Sequence, residues 1–250
     1  MKRMGKKYFC WNIDDGLEQD KKIIKELKRC GMGATFNLNS GLFGTKGMIG
    51  RMGDYGMKDV PLAQFKKGFH FLKYHESFRI PEDEVRQVYQ GFEIASHGWR
   101  HENLKKASAS EAAESVSRDV AKLEKLFGTK VQGFAYPYGA FGEQTAAVLR
   151  ENGICYARTI SKADSFDRPA DLLHMPMTGW HIDKDIMQKL DRFICAEAEG
   201  KDLFFLMFAH GYEFDFGTKE SNWEKFRRIC DKAAGSGDIV CCSTVEALGL

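Results

Sequence analysis

Short apolar runs alternate with longer segments of helical period along the whole chain, and this alternation restricts the fold more than any other feature. Tyr8–Ile13 reads as a strand, and Asp20–Cys30 as a helix with Ile23, Ile24 and Leu27 on one side. Ala34–Leu38 is the next strand. A helix over Glu82–Gly91 then leads into a strand over Phe92–Ser96. A helix starting at Ser110 turns Val116, Val120, Leu123 and Leu126 inward. The pattern continues with strand Val131–Ala135, helix Glu143–Asn152, and strands Cys155–Thr159 and Leu173–Met177. Helix Lys184–Glu199, the very apolar strand Leu203–Ala209, helix Ser221–Ala233 and strand Ile239–Cys242 complete it. Strands that alternate with helices this regularly form a parallel sheet covered by helices. Seven or eight such units in one chain of this size predict a closed α/β barrel, with an open doubly wound sheet as the competing arrangement. No Pro- or Ser-rich linker divides residues 1–250, so a single domain is expected.

Composition narrows the partners. Lys and Arg number 37 against 35 Asp and Glu, so there is no excess positive field to hold nucleic acid or an anionic membrane, and neither is expected as a partner. The basic start, Met1 to Lys7, is not followed by an apolar run long enough for a signal peptide, and the longest apolar stretch, Leu203–Ala209, is too short to span a bilayer. Seven cysteines cannot all pair, and none has C-x-x-C spacing. A soluble, reduced, cytoplasmic protein is expected, with Cys10, Cys155, Cys241 and Cys242 as small core residues on strands. A near-neutral balance suits an uncharged substrate better than an anionic polymer.

One stretch departs from the alternation. Glycines fall at 41, 44, 47, 50, 53 and 56, without the proline or the length that a collagen helix needs. No two of them are two apart, as a dinucleotide fingerprint requires. The region at about 41–81 reads as an inserted loop, either a substrate lid or a tolerated insertion.

Three features at strand ends carry chemistry. Asp14-Asp15-Gly16 follows the first strand, and the turn at Gly16 lets two carboxylates converge where a metal ion or proton must satisfy them. The same residues could simply form a turn before the helix. His97-Gly-Trp-Arg-His101 follows the strand ending at Ser96, and in a helical turn the two imidazoles would share a face, a spacing that suits two ligands of one metal. His210 ends the apolar strand, on the face where barrel enzymes place catalysis. The remaining histidines, His70, His75, His174 and His181, read as structural. Two histidines and a carboxylate leave a metal with open positions. A second carboxylate can take a proton from water, and a histidine across the site can protonate a leaving group. That is hydrolysis of an amide or ester.

With Tyr136-Pro137-Tyr138-Gly139 between the last two features, the order resembles that of the polysaccharide deacetylase family, carbohydrate esterase family 4, over nearly the whole chain. The counterparts of the family motifs are Asn12–Gly16, His97–His101, Ala135–Tyr138 and Phe208–His210. The resemblance implies a distorted (β/α) barrel and a divalent metal held by Asp15, His97 and His101, zinc first with cobalt or nickel as alternatives. It implies Asp14 as general base, His210 as general acid, and the Tyr138 backbone N–H as donor to the oxyanion. Tyr136 and Trp180 are expected to contact the substrate, an N- or O-acetylated saccharide that is small or oligomeric. Two other readings accompany it: hydrolysis of another C–N bond such as that of a cyclic ureide, as in allantoinase, and a catalytically silent carbohydrate-binding protein. The chain departs from the family in having Gly98 in place of Ser or Thr, and Ala135 in place of the arginine that holds the base. Arg158, at the end of the following strand, is expected to supply the missing guanidinium.

Overall fold

The computed structural model describes residues 4–49 and 75–250. In chain order the strands are β1 (Lys7–Asp14), β2 (Ala34–Leu38), β3 (Lys46–Ile49), β4 (His75–Phe78), β5 (Glu93–Ser96), β6 (Gly133–Ala135), β7 (Tyr156–Lys162), β8 (Met175–Met177), β9 (Gly179–Trp180), β10 (Leu203–His210) and β11 (Ile239–Cys241). The helices are α1 (Asp20–Arg29), α2 (Glu82–Val88), α3 (Ala109–Phe127), α4 (Glu143–Glu151), α5 (Ile186–Cys195), α6 (Trp223–Ala234) and α7 (Thr244–Leu248).

The parallel strands form a nearly closed barrel in the order β8-β7-β6-β5-β2-β1-β10-β9. Its two edges are consecutive pieces of one segment. Only Thr178 separates β8 from β9, and it exchanges hydrogen bonds with Leu206 on β10, donating from its backbone N–H and accepting at Oγ1. The first half of the segment thus pairs with β7 and the second half with β10. Counting it once leaves seven positions around the ring, within the seven or eight units that the alternation predicts. β11 adds to the first half of β1, on the edge whose second half pairs with β2.

β10 is buried along its full length, which explains its unbroken apolar sequence. Trp11, Phe36, Phe205 and Phe226 pack between the sheet and the helices. α1 buries Ile23, Ile24 and Leu27 as its period predicts. α3 begins earlier than expected, because a capping box formed by Ser108 and Glu111 closes its first turn, and Gly128 ends it at φ 72°. α5 is shorter than expected at its C-terminal end. Lys7 Nζ takes the carbonyls of Ile194 and Ala196, and the following residues run against the N-terminal segment, where Gly5 N–H donates to Ala198 O.

The region expected to be a loop at 41–81 contains structure at both ends. A 3-10 turn spans Ser40–Leu42, and β3 and β4 form an antiparallel pair. Gly41 N–H donates to Trp99 O, and a Cβ at Gly41 would lie 2.5 Å from Trp99, so this position needs glycine. Gly50, Gly53 and Gly56, and with them the expected lid, lie outside the described residues. None of the seven cysteines forms a disulfide. Cys10 and Cys242 are buried, but Cys155 is exposed because it lies just before β7 rather than within it. No helix among the described residues is long and apolar enough to cross a membrane.

Candidate metal centre and active site

Strand register collects the predicted residues at one end of the barrel. Asp14, the last residue of β1, stands opposite His210 on β10 and Asn37 on β2. Leu38 stands opposite Ser96, which places His97 just beyond β5, and Ala135 stands opposite Arg158. Residues more than 100 positions apart in the sequence therefore meet at the carboxyl ends of parallel strands, where βα connections build active sites.

Asp15, His97 and His101 are buried, and each offers one ligand atom within 4.8 Å of the others. His97 Nδ1 lies 2.7 Å from Ala135 O, a bond that places its proton on Nδ1 and leaves the Nε2 lone pair facing the site. Nε2 is buried and has no hydrogen-bond partner. Burial holds the imidazole below its ordinary pKa despite Asp14 and Asp15 nearby, so the ring is neutral, as a ligand must be. His101 Nε2 is 3.9 Å from Asp15 Oδ1, and the two imidazole centroids are 4.7 Å apart. The residues present fit a divalent metal with one carboxylate and two histidines.

The histidines do not meet through a helical turn, as the i, i+4 spacing predicts. The segment turns through left-handed backbone at Gly98, φ 75°, and at His101, φ 59°. Among the described residues, Asp15, His101 and Tyr138 are the non-glycine residues with positive φ, and all three belong to this site. Backbone strain is thus concentrated at the candidate centre.

The departure at Gly98 has a structural reason. A side chain at this φ would be strained, and other residues hold the loop. Asn39 Nδ2 donates to the carbonyls of His97 and Gly98, and Trp99 N–H donates to Ser115 Oγ. Below them Asp119 accepts from Ser40 and Ser96, and burial raises its carboxyl to about 7.

Arg158 is fully buried, and its Nη2 donates to both carboxylate oxygens of Asp14. Asn37 Nδ2 adds a third bond to Asp14 at 2.8 Å. The guanidinium therefore lies on the carboxylate that the sequence pairs it with, and its carbon stands 4.4 Å from the Phe208 ring centroid.

Across the site, His210 Nδ1 is 3.2 Å from Glu213 Oε1. Burial alone would lower the histidine, but the charge and hydrogen bond of Glu213 outweigh it and raise His210 to about 9. Glu213 also accepts from Trp180 Nε1 at 3.0 Å, and its Oε2 is 3.5 Å from His181 Nδ1. Burial pushes His181 down to about 4, so at neutral pH Glu213 serves one charged histidine and one neutral one. Neither Glu213 nor the part played by His181 stands out in the sequence, although Glu213 is only three residues beyond His210.

Two expectations about substrate contact are corrected. Tyr136 is buried, its hydroxyl donates to Leu173 O, and its ring packs on Phe134 and Phe141, so it is a core residue tying the end of β6 to the turn before β8. Trp180 is also buried, with its indole N–H committed to Glu213 and its ring against Phe208, which makes it a support for the His210 side of the site. Tyr138 remains at the centre, with its ring 4.6 Å from that of His101.

The polysaccharide deacetylase family profile matches residues 1–157. The chain belongs to the polysaccharide deacetylase family. No protein of curated function matches the sequence. Among solved structures, the fold is similar to peptidoglycan deacetylase PdaC of Bacillus subtilis (D285S mutant; 14% identity, 98% of this chain and 91% of that one, TM-score 0.55). It is similar to BA3943 of Bacillus anthracis, a CE4 family pseudoenzyme (15% identity, 99% of this chain and 66% of that one, TM-score 0.55). A third is the deacetylase PplD of Streptococcus pyogenes in complex with acetate (16% identity, 66% of this chain, TM-score 0.49), of whose length the match spans 61%. An enzyme and a pseudoenzyme share this fold at similar TM-scores, so the side chains of the site must carry the functional reading.

Proposed function

We propose that the protein is a metal-dependent hydrolase that removes acetyl groups from an N- or O-acetylated saccharide. One observation carries the reading: the Asp15, His97 and His101 cluster lies beside an Asp14 carboxylate fastened by Arg158, with a positively charged His210 opposite. Asp15 Oδ1, His97 Nε2 and His101 Nε2 would hold the ion. When bound, a divalent metal polarises the scissile carbonyl and lowers the pKa of water.

The chain's own residues supply the rest. Asp14 accepts the proton of the attacking water at a carboxylate oxygen, and Arg158 and Asn37 keep that carboxylate oriented. The Tyr138 backbone N–H donates to the oxyanion of the tetrahedral intermediate. His210 holds its proton at neutral pH because Glu213 stabilises the imidazolium, and it passes that proton to the departing amine or alcohol. A protonated donor facing a carboxylate acceptor is what such a hydrolysis needs.

The test is acetate release from a panel of acetylated sugars by protein loaded with zinc, cobalt or nickel. Metal-dependent release from any of them supports the reading. Stoichiometric metal uptake without release from any sugar sinks it, and failure to take up metal would favour a silent binding protein.

A further inference from the structure

Arg79 enters the same site from the chain segment that follows β4. Its backbone is tied to the turn that carries the two aspartates. It forms a bridge with Leu17 and donates its N–H to Thr45 O, and the next residue, Ile80, donates to Gly16 O. The side chain is only 2% exposed, and its Nε and Nη2 are buried without a hydrogen-bond partner. These two nitrogens lie on one edge of the guanidinium, the edge that grips a pair of oxygens side by side. The nearest recorded anion is Asp15, at 3.8 Å from Nη2, beyond hydrogen-bond range.

Among the described residues, the local charge count leaves this cation over. Arg158 neutralises Asp14, and Glu213 neutralises His210. The Asp15 carboxylate is grouped with His97 and His101 as a metal ligand, and a divalent ion would outweigh its single charge. A buried guanidinium with an empty edge is costly unless a second anion reaches it. The near-zero balance of the whole chain hides this local excess.

We propose that Arg79 receives an oxyanion of the substrate, so that the saccharide acted on carries a carboxylate or a phosphate near its acetyl group. This deepens the deacetylase reading and rests on it for the word substrate, while the anion site itself can be tested without turnover. The uncharged substrate favoured by the overall charge balance is then the wrong class.

The test has a binding arm and a turnover arm. In the first, glucose, glucuronate and glucose 6-phosphate are titrated calorimetrically into zinc-loaded protein. Glucuronate or glucose 6-phosphate should bind at least about tenfold more tightly than glucose, the better of the two identifying the anion, and Arg79→Gln should remove the difference. Arg79→Lys keeps the charge without the fork and should retain part of it, which guards against a Gln variant that fails to fold. Equal binding of all three sugars to the wild type overturns the proposal, as does a preference that survives Arg79→Gln. In the second arm, the ratio of kcat/KM for N-acetylmuramic acid or N-acetylglucosamine 6-phosphate to that for N-acetylglucosamine should exceed one and fall at least about tenfold in the variant. Equal loss on charged and neutral sugars would assign Arg79 to the oxyanion or to Asp15 and overturn the proposal. Arg79-dependent anion binding with no acetate release would keep the anion site and sink the deacetylase reading. Release without charge preference would do the reverse.

Discussion

Arg158 reaches across 144 positions of sequence to place one guanidinium nitrogen on both oxygens of Asp14, with each side chain no more than 4% exposed. Removing one member of a buried ion pair strands the other. Arg158→Met is therefore expected to cost about 3–5 kcal/mol in denaturant unfolding, and Asp14→Asn in the same chain to recover part of it. Acetate release by Arg158→Met should fall at least about a hundredfold, since the carboxylate loses its orientation. Unchanged turnover would mean that the pair serves folding alone.

Ligand and base can be separated by metal content. His97 contributes a bare Nε2 to the candidate centre, while Asp14 is saturated by Arg158 and Asn37. His97→Ala should abolish zinc retention after dialysis, measured by elemental analysis. Asp14→Asn should retain zinc and lose acetate release. Equal loss of zinc in both variants would overturn the division of roles.

The barrel was legible because strands and helices announce themselves by local period, and β2, for example, has the bounds that the sequence predicts. What escaped depends on contacts between distant segments. β9 is two residues long and is defined by its pairing with Met207 and Phe208, which no local pattern in Gly179–Trp180 reveals. The Asp and His motifs stood out because their spacing is local, whereas Glu213 acquires its meaning only when Trp180, His181 and His210 converge on it. Tyr136 is illegible for a related reason: an aromatic beside a motif reads as a contact surface, whereas the distant Leu173 carbonyl takes its hydroxyl into the core.

Gly98 supplies a stability test. Its φ of 75° disfavours any side chain, although the nearest atom to a Cβ at this position, Ser115 Oγ at 3.5 Å, leaves room for one. Restoring the family's threonine by Gly98→Thr should therefore destabilise this chain by about 1–3 kcal/mol, through backbone strain rather than collision. Thermal unfolding with and without zinc measures it, and a stabilised variant would show that the loop can adopt the family's conformation.

The Glu213–His210 pair makes the strongest pH prediction. His210 is raised to about 9, with the Glu213 charge and hydrogen bond overcoming burial. A histidine raised in the folded state above its unfolded value of about 6.5 contributes stability that is fully present below that value. The contribution is lost as pH rises through about 9. Wild-type Tm should therefore decline between these two pH values, where Glu213→Gln should show a flatter profile. The same substitution should move the basic limb of kcat/KM to lower pH, because a neutral amide no longer stabilises the imidazolium while burial still opposes it. Glu213 touches His210 rather than the reacting atoms, so as a positioning residue it should shift the pH profile as well as lower the rate. Rate loss with an unmoved basic limb would assign the proton donor to another group.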